Sequence, residues 1–419
     1  MINSTNIVNI HEKYHIYRKY DSVMDKVLLL YSGGLDTSVM VKWIQQEMKK
    51  EVVTLTLNVG NSNLDEIREK AISLGVSDAI VVDVKNEFAD KYIKKEILAD
   101  GMYEGYPLST AIARPLMAEK AVYYATEYGC NTIAHGSTGK GNDQVRFEVT
   151  VKAIDENINV IAPVRDWNMN RPDEINYAKN NGIKIPKDGK YSVDENIWGR
   201  SAEGSTIENI QNPLENDVYE WVTPLEETGS GETVGLEFAN GIPYAINGTE
   251  YGLEEIVEKM NVIAGRNGIG LINHMEDRVT GIKSHEVYEV PGAMAILSAH
   301  KIIESLTLNK YELDLKEYMD NQWSNFTYNG LWNDPVMEHI NQFESSLNKY
   351  INGKIKLKLY KGNIIMKSIE SENSVYNYEK ISYDNSNFNQ DSARGFIDIY
   401  KNNTVYTNNA RKQKISIIQ

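Results

Sequence analysis

Residues 27–43 read VLLLYSGGLDTSVMVKW, an apolar run that meets two glycines, an aspartate and further hydroxyls and then resumes with a longer apolar period. The run carries no polar alternation, as expected of a strand covered on both faces. Beyond Tyr31, the string Ser32-Gly33-Gly34-Leu35-Asp36-Thr37-Ser38 turns into a helix whose expected buried face is Val39, Val41, Trp43 and Ile44. Glycines there allow backbone conformations closed to other residues and let a ligand approach the main chain. Free N–H groups and the positive end of the helix dipole then converge on one point, which suits an anion. A bare Gly-Gly after a strand is usually an ordinary turn with a Thr or Ser cap. The full seven-residue string is more demanding, and it lacks the Gly-x-x-x-x-Gly-Lys-Ser/Thr spacing of a Walker A loop.

The flanking sequence repeats the same alternation. Strand candidates are residues 26–31, 52–57, 79–84, 132–135 and 160–162. Helix candidates between them are 38–49, 64–74 closed by Gly75, 85–98, and 115–128 closed by Gly129. The pattern predicts a doubly wound α/β domain with a parallel sheet. Past about residue 165 it gives way to a linker and then to mixed strands and longer helices, such as 252–264 and 293–305, an α+β arrangement. Residues 353–371 alternate polar and apolar around Lys361-Gly362-Asn363, a hairpin signal. From about residue 376 the chain is rich in Asn, Tyr and Lys, with a short amphipathic patch at ARGFIDIYK. The expected division is an extension at 1–23, a nucleotide-binding domain at 24–188, a second domain at 189–375 and a C-terminal oligomerisation tail at 376–419.

Composition narrows the function. A chain of 419 residues has ample material for a large core, and a net charge of −15 would repel a phosphate backbone, so nucleic acid is not an expected partner. Cys130 is the single cysteine, which rules out an intrachain disulfide and a Cys-rich metal site. No run of about 18 apolar residues and no secretory pattern at the N-terminus are present, so no membrane is expected and the expected location is cytoplasmic.

A second glycine-rich element, HGSTGKGNDQVRFE, follows the strand ending at His135. Ligands of open α/β sheets sit beyond the carboxyl ends of the strands where the strand order reverses, so the two loops are expected to face one crevice. Asp143 and Arg146, three residues apart, would form an ordinary helical ion pair elsewhere. Within a loop of three glycines they become candidates for substrate contact. No Ser/His/Asp or Cys/His nucleophile site is visible, which leaves positioning and charge stabilisation as the expected catalytic means.

Ser-Gly-Gly-Leu-Asp-Thr-Ser after an apolar strand resembles the pyrophosphate loop of N-type ATP pyrophosphatases, which split ATP into AMP and pyrophosphate. Together with HGSTGKGNDQVRFE, YEGYPLSTAIARPL, YSVDENIWGRSAEG, EDRVTGIKSHEVYEVPG, KLKLYKGN and ARGFI, it makes the chain similar to the argininosuccinate synthases from about residue 25 to 397. The resemblance implies a cytoplasmic homotetrameric ligase of arginine biosynthesis and the urea cycle that converts ATP, L-citrulline and L-aspartate into argininosuccinate, AMP and pyrophosphate through a citrulline-adenylate. Mg2+ would accompany the nucleotide, with no metal held by the protein alone. By resemblance, Leu30, Tyr31, Ser32, Gly33, Gly34, Leu35, Asp36, Thr37, Ser38, Leu57 and Gly136 bind ATP, with Asp36 ordering the loop or helping to hold magnesium. Thr138, Asn142 and Asp143 receive aspartate. Tyr106, Thr110, Asn142, Arg146, Ser192, Ser201, Glu276 and Tyr288 receive citrulline. Asp36, Asp143 and Arg146 are the catalytic candidates.

One loop departs from the family. Many members read Tyr-Leu-Leu-Gly-Thr-Ser where this chain has Tyr106-Pro107-Leu108-Ser109-Thr110-Ala111, so Tyr106 and Thr110 are expected to replace the serine contact. Two other readings share the first loop. An amidating or tRNA-thiolating ATP pyrophosphatase is one, though the thiolating kind normally shows catalytic cysteines or a basic RNA surface. A non-catalytic nucleotide-sensing homologue is the other, but Asp36, Asp143 and Arg146 are all present. The polar extension contains no piece of any motif. Deleting residues 1–23 is expected to leave activity and assembly unchanged, checked by assaying and sizing the truncated protein.

Overall fold

Strand Lys26–Leu30 divides its side chains between two cores, with Leu28 and Leu30 in one and Val27 and Leu29 in the other, which is why its apolar run shows no alternation. The structure, a computed structural model, describes residues 25–60, 63–167, 169–185, 190–384 and 386–418, with side chains up to residue 412. The extension at residues 1–23 lies outside the described residues.

Lys26–Leu30 pairs in parallel with Glu51–Asn58 on one side and Thr132–Ala134 on the other. Asp78–Asp83 and Asn159–Ile161 complete a five-stranded sheet whose strands lie in the order third, second, first, fourth, fifth. Helix Leu35–Glu47 buries Val39, Val41 and Ile44, while Trp43 is half-buried edge-on to Trp167. Its N-cap is Gly34 and no side chain caps it, so the Thr or Ser cap of an ordinary turn is absent. Helix Ser109–Glu127 begins six residues before the expected start at Pro115. Proline there removes a backbone donor, but burial of Ser109, Ala111, Ile112 and Ala113 holds the preceding residues helical. Residues 85–98 are helical with a π turn at Ala89–Ile93.

Two antiparallel sheets follow. One has five strands and ends in the expected hairpin, Gly353–Tyr360 with Asn363–Glu370, whose turn places Lys361 and Gly362 at φ 47° and 77°. The other has four strands, ordered Leu271–Asp277, Lys283–Glu289, Gly199–Glu203 and Ser192–Asn196. The described residues up to Asn373 form one compact unit, so the α/β part and the α+β part are not separate bodies. Ser374–Gln419 is a second unit, with helices Tyr378–Ile381, Gln390–Tyr400 and Asn402–Ile418, and it leaves Phe396, Ile397, Ile399 and Tyr400 exposed. No helix among the described residues is long and apolar enough to cross a membrane.

Helices Pro291–Thr307, Lys310–Tyr328 and Pro335–Leu347 enclose a buried charge cluster. Lys316, 1% exposed, lies 2.7 Å from Asp320, 2.9 Å from Glu304, 3.2 Å from Glu344 and 3.7 Å from Asp100. His300 reaches Asp100 at 2.9 Å and Asn348 at 2.8 Å. Burial alone would deprotonate this imidazole, but Asp100 and Glu304 raise its pKa. The cluster fixes Asp100 just ahead of the short hairpin Met102–Tyr103 with Tyr106–Pro107.

Glu96 is also fully buried. One oxygen accepts the Leu108 N–H at 2.7 Å, and the other has no hydrogen-bond partner. Burial pushes this carboxyl up to about 8. A folded pKa raised above the unfolded value of about 4.3 means that the group's contribution is fully present below about pH 4 and is lost as pH rises towards 8. Glu96→Gln is therefore expected to stabilise the protein at pH 8 by of order 3 kcal/mol more than at pH 5, read from Tm at the two pH values.

Candidate active site

The first and fourth strands of the parallel sheet are neighbours, so the loops leaving their carboxyl ends open onto one cleft of about 840 Å³. This is the point where the strand order reverses. In the first loop Gly33 has φ +78°, and a Cβ there would stand 3.0 Å from Ile67, so only glycine fits without strain. The Ser38 hydroxyl donates to the Gly34 carbonyl at 2.6 Å and shares a 3.1 Å hydrogen bond with the Tyr31 hydroxyl, stapling the loop from behind. Ser32 and Thr37, whose hydroxyls are 3.2 Å apart, line the cleft. Asp36 pairs with Arg171 at 2.7 Å from helix Arg171–Asn180. Next to it, burial and the Asp36 charge push the Glu174 carboxyl up to about 8.

The second loop is anchored by His135, 1% exposed, whose Nδ1 accepts the Ser137 N–H at 3.3 Å, and by the Gln144 amide, which donates to the Gly139 and Gly141 carbonyls. It ends at the N-terminus of helix Asp143–Ile154. The Asn142 side chain is engaged on every side. Its Nδ2 donates to Glu276 at 3.0 Å and to the Tyr328 hydroxyl at 2.9 Å, and its Oδ1 accepts the Val279 N–H at 2.9 Å. Asp143 accepts two bonds from Arg114, at 2.9 and 2.8 Å, and one from Arg146 at 3.1 Å. Burial would raise its pKa, but the two guanidiniums hold it below the ordinary value. Arg114 also reaches Asp194, which accepts from Thr110 at 2.9 Å.

The four-stranded sheet supplies the third wall. Its register sets Asp194 opposite Ser201 and Ser201 opposite Tyr288, and it sets Ser192 opposite Glu203 one step along. Positions two apart on a strand share a face, so Ser192, Asp194, Ser201, Glu203, Glu286 and Tyr288 all border the cleft. Arg278 lies among them, bonded to Glu203, Glu286 and Ser284.

Glu276, 2% exposed, is the most heavily solvated anion of the cleft, and its solvent is protein. It accepts from Tyr106 at 3.0 Å, Tyr328 at 2.5 Å, Asn142 and Tyr288. Among the described residues no lysine or arginine nitrogen lies within 4 Å of it. Tyr106 stacks on Tyr288 with ring centroids 4.1 Å apart, Tyr103 stacks on Tyr328 at 3.6 Å, and Arg146 lies over the Tyr328 ring at 4.9 Å. Burial and Glu276 raise the pKa of Tyr106 well above 10, and burial, Tyr106, Glu286 and Glu276 do the same to Tyr288, which keeps both hydrogen-bond donors.

Every residue expected to contact ATP, aspartate or citrulline lines this cleft except Gly33 and Ser38. The sequence reasoning missed Arg114, Arg171, Asp194, Glu203, Arg278, Glu286 and Tyr328. Period-two spacing from Ser192, Ser201 and Tyr288 would have reached Asp194, Glu203 and Glu286. Arg114 stood inside a quoted motif. Tyr328, at the end of a long helix, carried no local signal.

Two family models match the chain. One describes the arginosuccinate synthase N-terminal HUP domain and covers residues 26–184, and the other describes the arginosuccinate synthase C-terminal domain and covers residues 191–406. The argininosuccinate synthase of Picrophilus torridus is 62% identical over 93% of this chain and 98% of its own length. That of Thermoplasma volcanium is 55% identical over the same shares, and that of Pyrococcus furiosus is 43% identical over 92% of this chain and 94% of its own. Matched along nearly its whole described length, the chain belongs to the argininosuccinate synthase family of ligases.

Proposed function

We propose that the cleft uses ATP to join L-citrulline to L-aspartate, releasing AMP and pyrophosphate through a citrulline-adenylate, as in arginine biosynthesis. Glu276 carries this reading. A buried carboxylate surrounded by neutral donors and lacking a cation is completed by one, and the ammonium of an amino acid supplies it. The phosphate loop, open at the positive end of a helix dipole, suits the β- and γ-phosphates of the nucleotide. Asp143, held ionised, suits the ammonium of aspartate, while Arg146 stands between it and the Glu276 pocket and suits citrulline.

The chemistry then follows from the ureido group, whose oxygen is a very poor leaving group. That oxygen attacks the α-phosphate, a P–O bond forms, and pyrophosphate departs towards residues 32–38. The α-amine of aspartate, having lost a proton, attacks the activated carbon and displaces AMP. The residues of the cleft bind, orient and stabilise charge, and none becomes covalently modified. Magnesium fits beside Asp36 and Glu174, since burial and the Asp36 charge push the Glu174 carboxyl up to about 8 and a divalent cation would relieve that repulsion. When bound it would neutralise phosphate charge. A single buried cysteine, its thiol pushed up to about 11 by burial, is suited to the cytoplasm.

Incubation with ATP, citrulline and aspartate is expected to give argininosuccinate, AMP and pyrophosphate in equal amounts, and absence of any one rejects the reaction. With citrulline alone, adenylation should scramble ¹⁸O between bridging and non-bridging positions of ATP. Asp143→Asn is expected to raise the aspartate KM about ten-fold or more while leaving scrambling largely in place, whereas Arg146→Ala should depress scrambling and synthesis together. Equal loss in both variants would show that the two substrates are misassigned. We further propose a homotetramer assembled through residues 376–419, whose helix Gln390–Tyr400 gathers exposed apolar side chains on its surface. Removing that tail should lower the molar mass seen by light scattering, and an unchanged tetramer would reject it.

A further inference from the structure

We infer that Lys70 is a positioning residue of the phosphate loop, which binds the Gly33 carbonyl and so turns the Gly33–Gly34 peptide to aim the Gly34 N–H at the nucleotide. The inference rests on the reading of residues 31–38 as the pyrophosphate site. Lys70 lies in the last turn of helix Leu64–Ser73, and its Nζ is 2.6 Å from the Gly33 oxygen. In a trans peptide the C=O and the following N–H point in opposite directions. Gly33 packs against Ile67 of the same helix and does not itself line the cleft, whereas Gly34 does. A carbonyl drawn towards the helix therefore sends its partner N–H towards the ligand.

The rest of the loop agrees. The Gly34 N–H now donates to the Ser32 hydroxyl at 3.3 Å, a long bond that a phosphate oxygen would replace. The Gly34 carbonyl is taken by the Ser38 hydroxyl at 2.6 Å, so both carbonyls of the glycine pair have partners of their own. Without Lys70 the Gly33 peptide is free to flip, and a flipped peptide would point an oxygen at an anion. Lys70 is half-buried, and among the described residues no carboxylate lies within 4 Å of it, so the carbonyl is its hydrogen-bond partner and not an incidental neighbour of an ion pair.

Steady-state kinetics of the full chain tests this with Lys70→Met, Lys70→Arg and, as a loop control, Thr37→Val. Lys70→Met keeps the aliphatic stem. It is expected to raise the ATP KM and the pyrophosphate inhibition constant about ten-fold with kcat nearly unchanged and the citrulline and aspartate KM values unmoved. Lys70→Arg, which retains a charged donor, should recover most of the loss. An unchanged ATP KM in Lys70→Met overturns the inference, and so does an equal rise in all three KM values with a fall in Tm, the pattern of general loosening. If Thr37→Val raises the ATP KM while Lys70→Met does not, only the role of Lys70 falls. If neither variant moves it, the loop is not the pyrophosphate site.

Discussion

The site depends on one topological constraint, the return of the chain to the free side of strand Lys26–Leu30 after two strands have been laid on the other side. Parallel pairing with Thr132–Ala134 then places two loops side by side at the carboxyl edge of the sheet. Neither loop alone encloses a ligand. The hairpin carrying Tyr106 and the four-stranded sheet supply the remaining walls, and they meet at Glu276, where hydroxyls and an amide from four separate elements converge on one carboxylate. Displacing any one element leaves a buried anion short of a donor, so the geometry of the pocket is enforced by the cost of an unsolvated charge.

Legibility in the sequence followed the range of the interactions. The five parallel strands and four of the helices beside them could be read as local apolar patterns, with errors at their boundaries, whereas helix Asp143–Ile154 was not among the helix candidates because the glycine-rich motif drew its first turn into a loop. Pro115 misled because proline ordinarily opens a helix, and only the packing of Ser109 to Ala113 keeps the helix running through it. The two glycine-rich loops were legible because glycine placement is a local demand of the backbone. Tyr328 and Arg114 were not, since what they do is decided by partners far along the chain. Tyr328 meets Glu276, 52 positions away, and Arg114 meets Asp194, 80 positions away. Asn142 shows both ranges at once, because a local motif marks it while the partners of its amide, Glu276 and Tyr328, lie far along the chain.

The cluster around Lys316 shows what a large helical layer does besides supply apolar burial. Asp100, Glu304, Asp320 and Glu344 face Lys316, Lys301 and His300, an excess of one acid, and burial accordingly pushes Asp320 up to about 9 and Glu304 up to about 7. Such a cluster adds little net stability over apolar packing, but breaking it would leave an uncompensated buried charge, which ties the three helices to one another. Asp100 is part of it, so the arrangement is passed directly to the hairpin that carries Tyr103 and Tyr106 into the cleft.

The arginines bordering the cleft share a property with a bearing on how substrates arrive. Arg114, Arg146, Arg171 and Arg278 are each already paired with a resident acid. Incoming carboxylates and phosphates therefore exchange with those acids instead of meeting bare cations, and the local charge changes less on binding than the ligands' formal charges suggest. The chain as a whole carries −15, so a nucleotide is repelled at a distance and met by compensated charge at close range. Ionic strength would then act chiefly on the encounter, by screening the long-range repulsion, and only weakly on the lifetime of the bound complex.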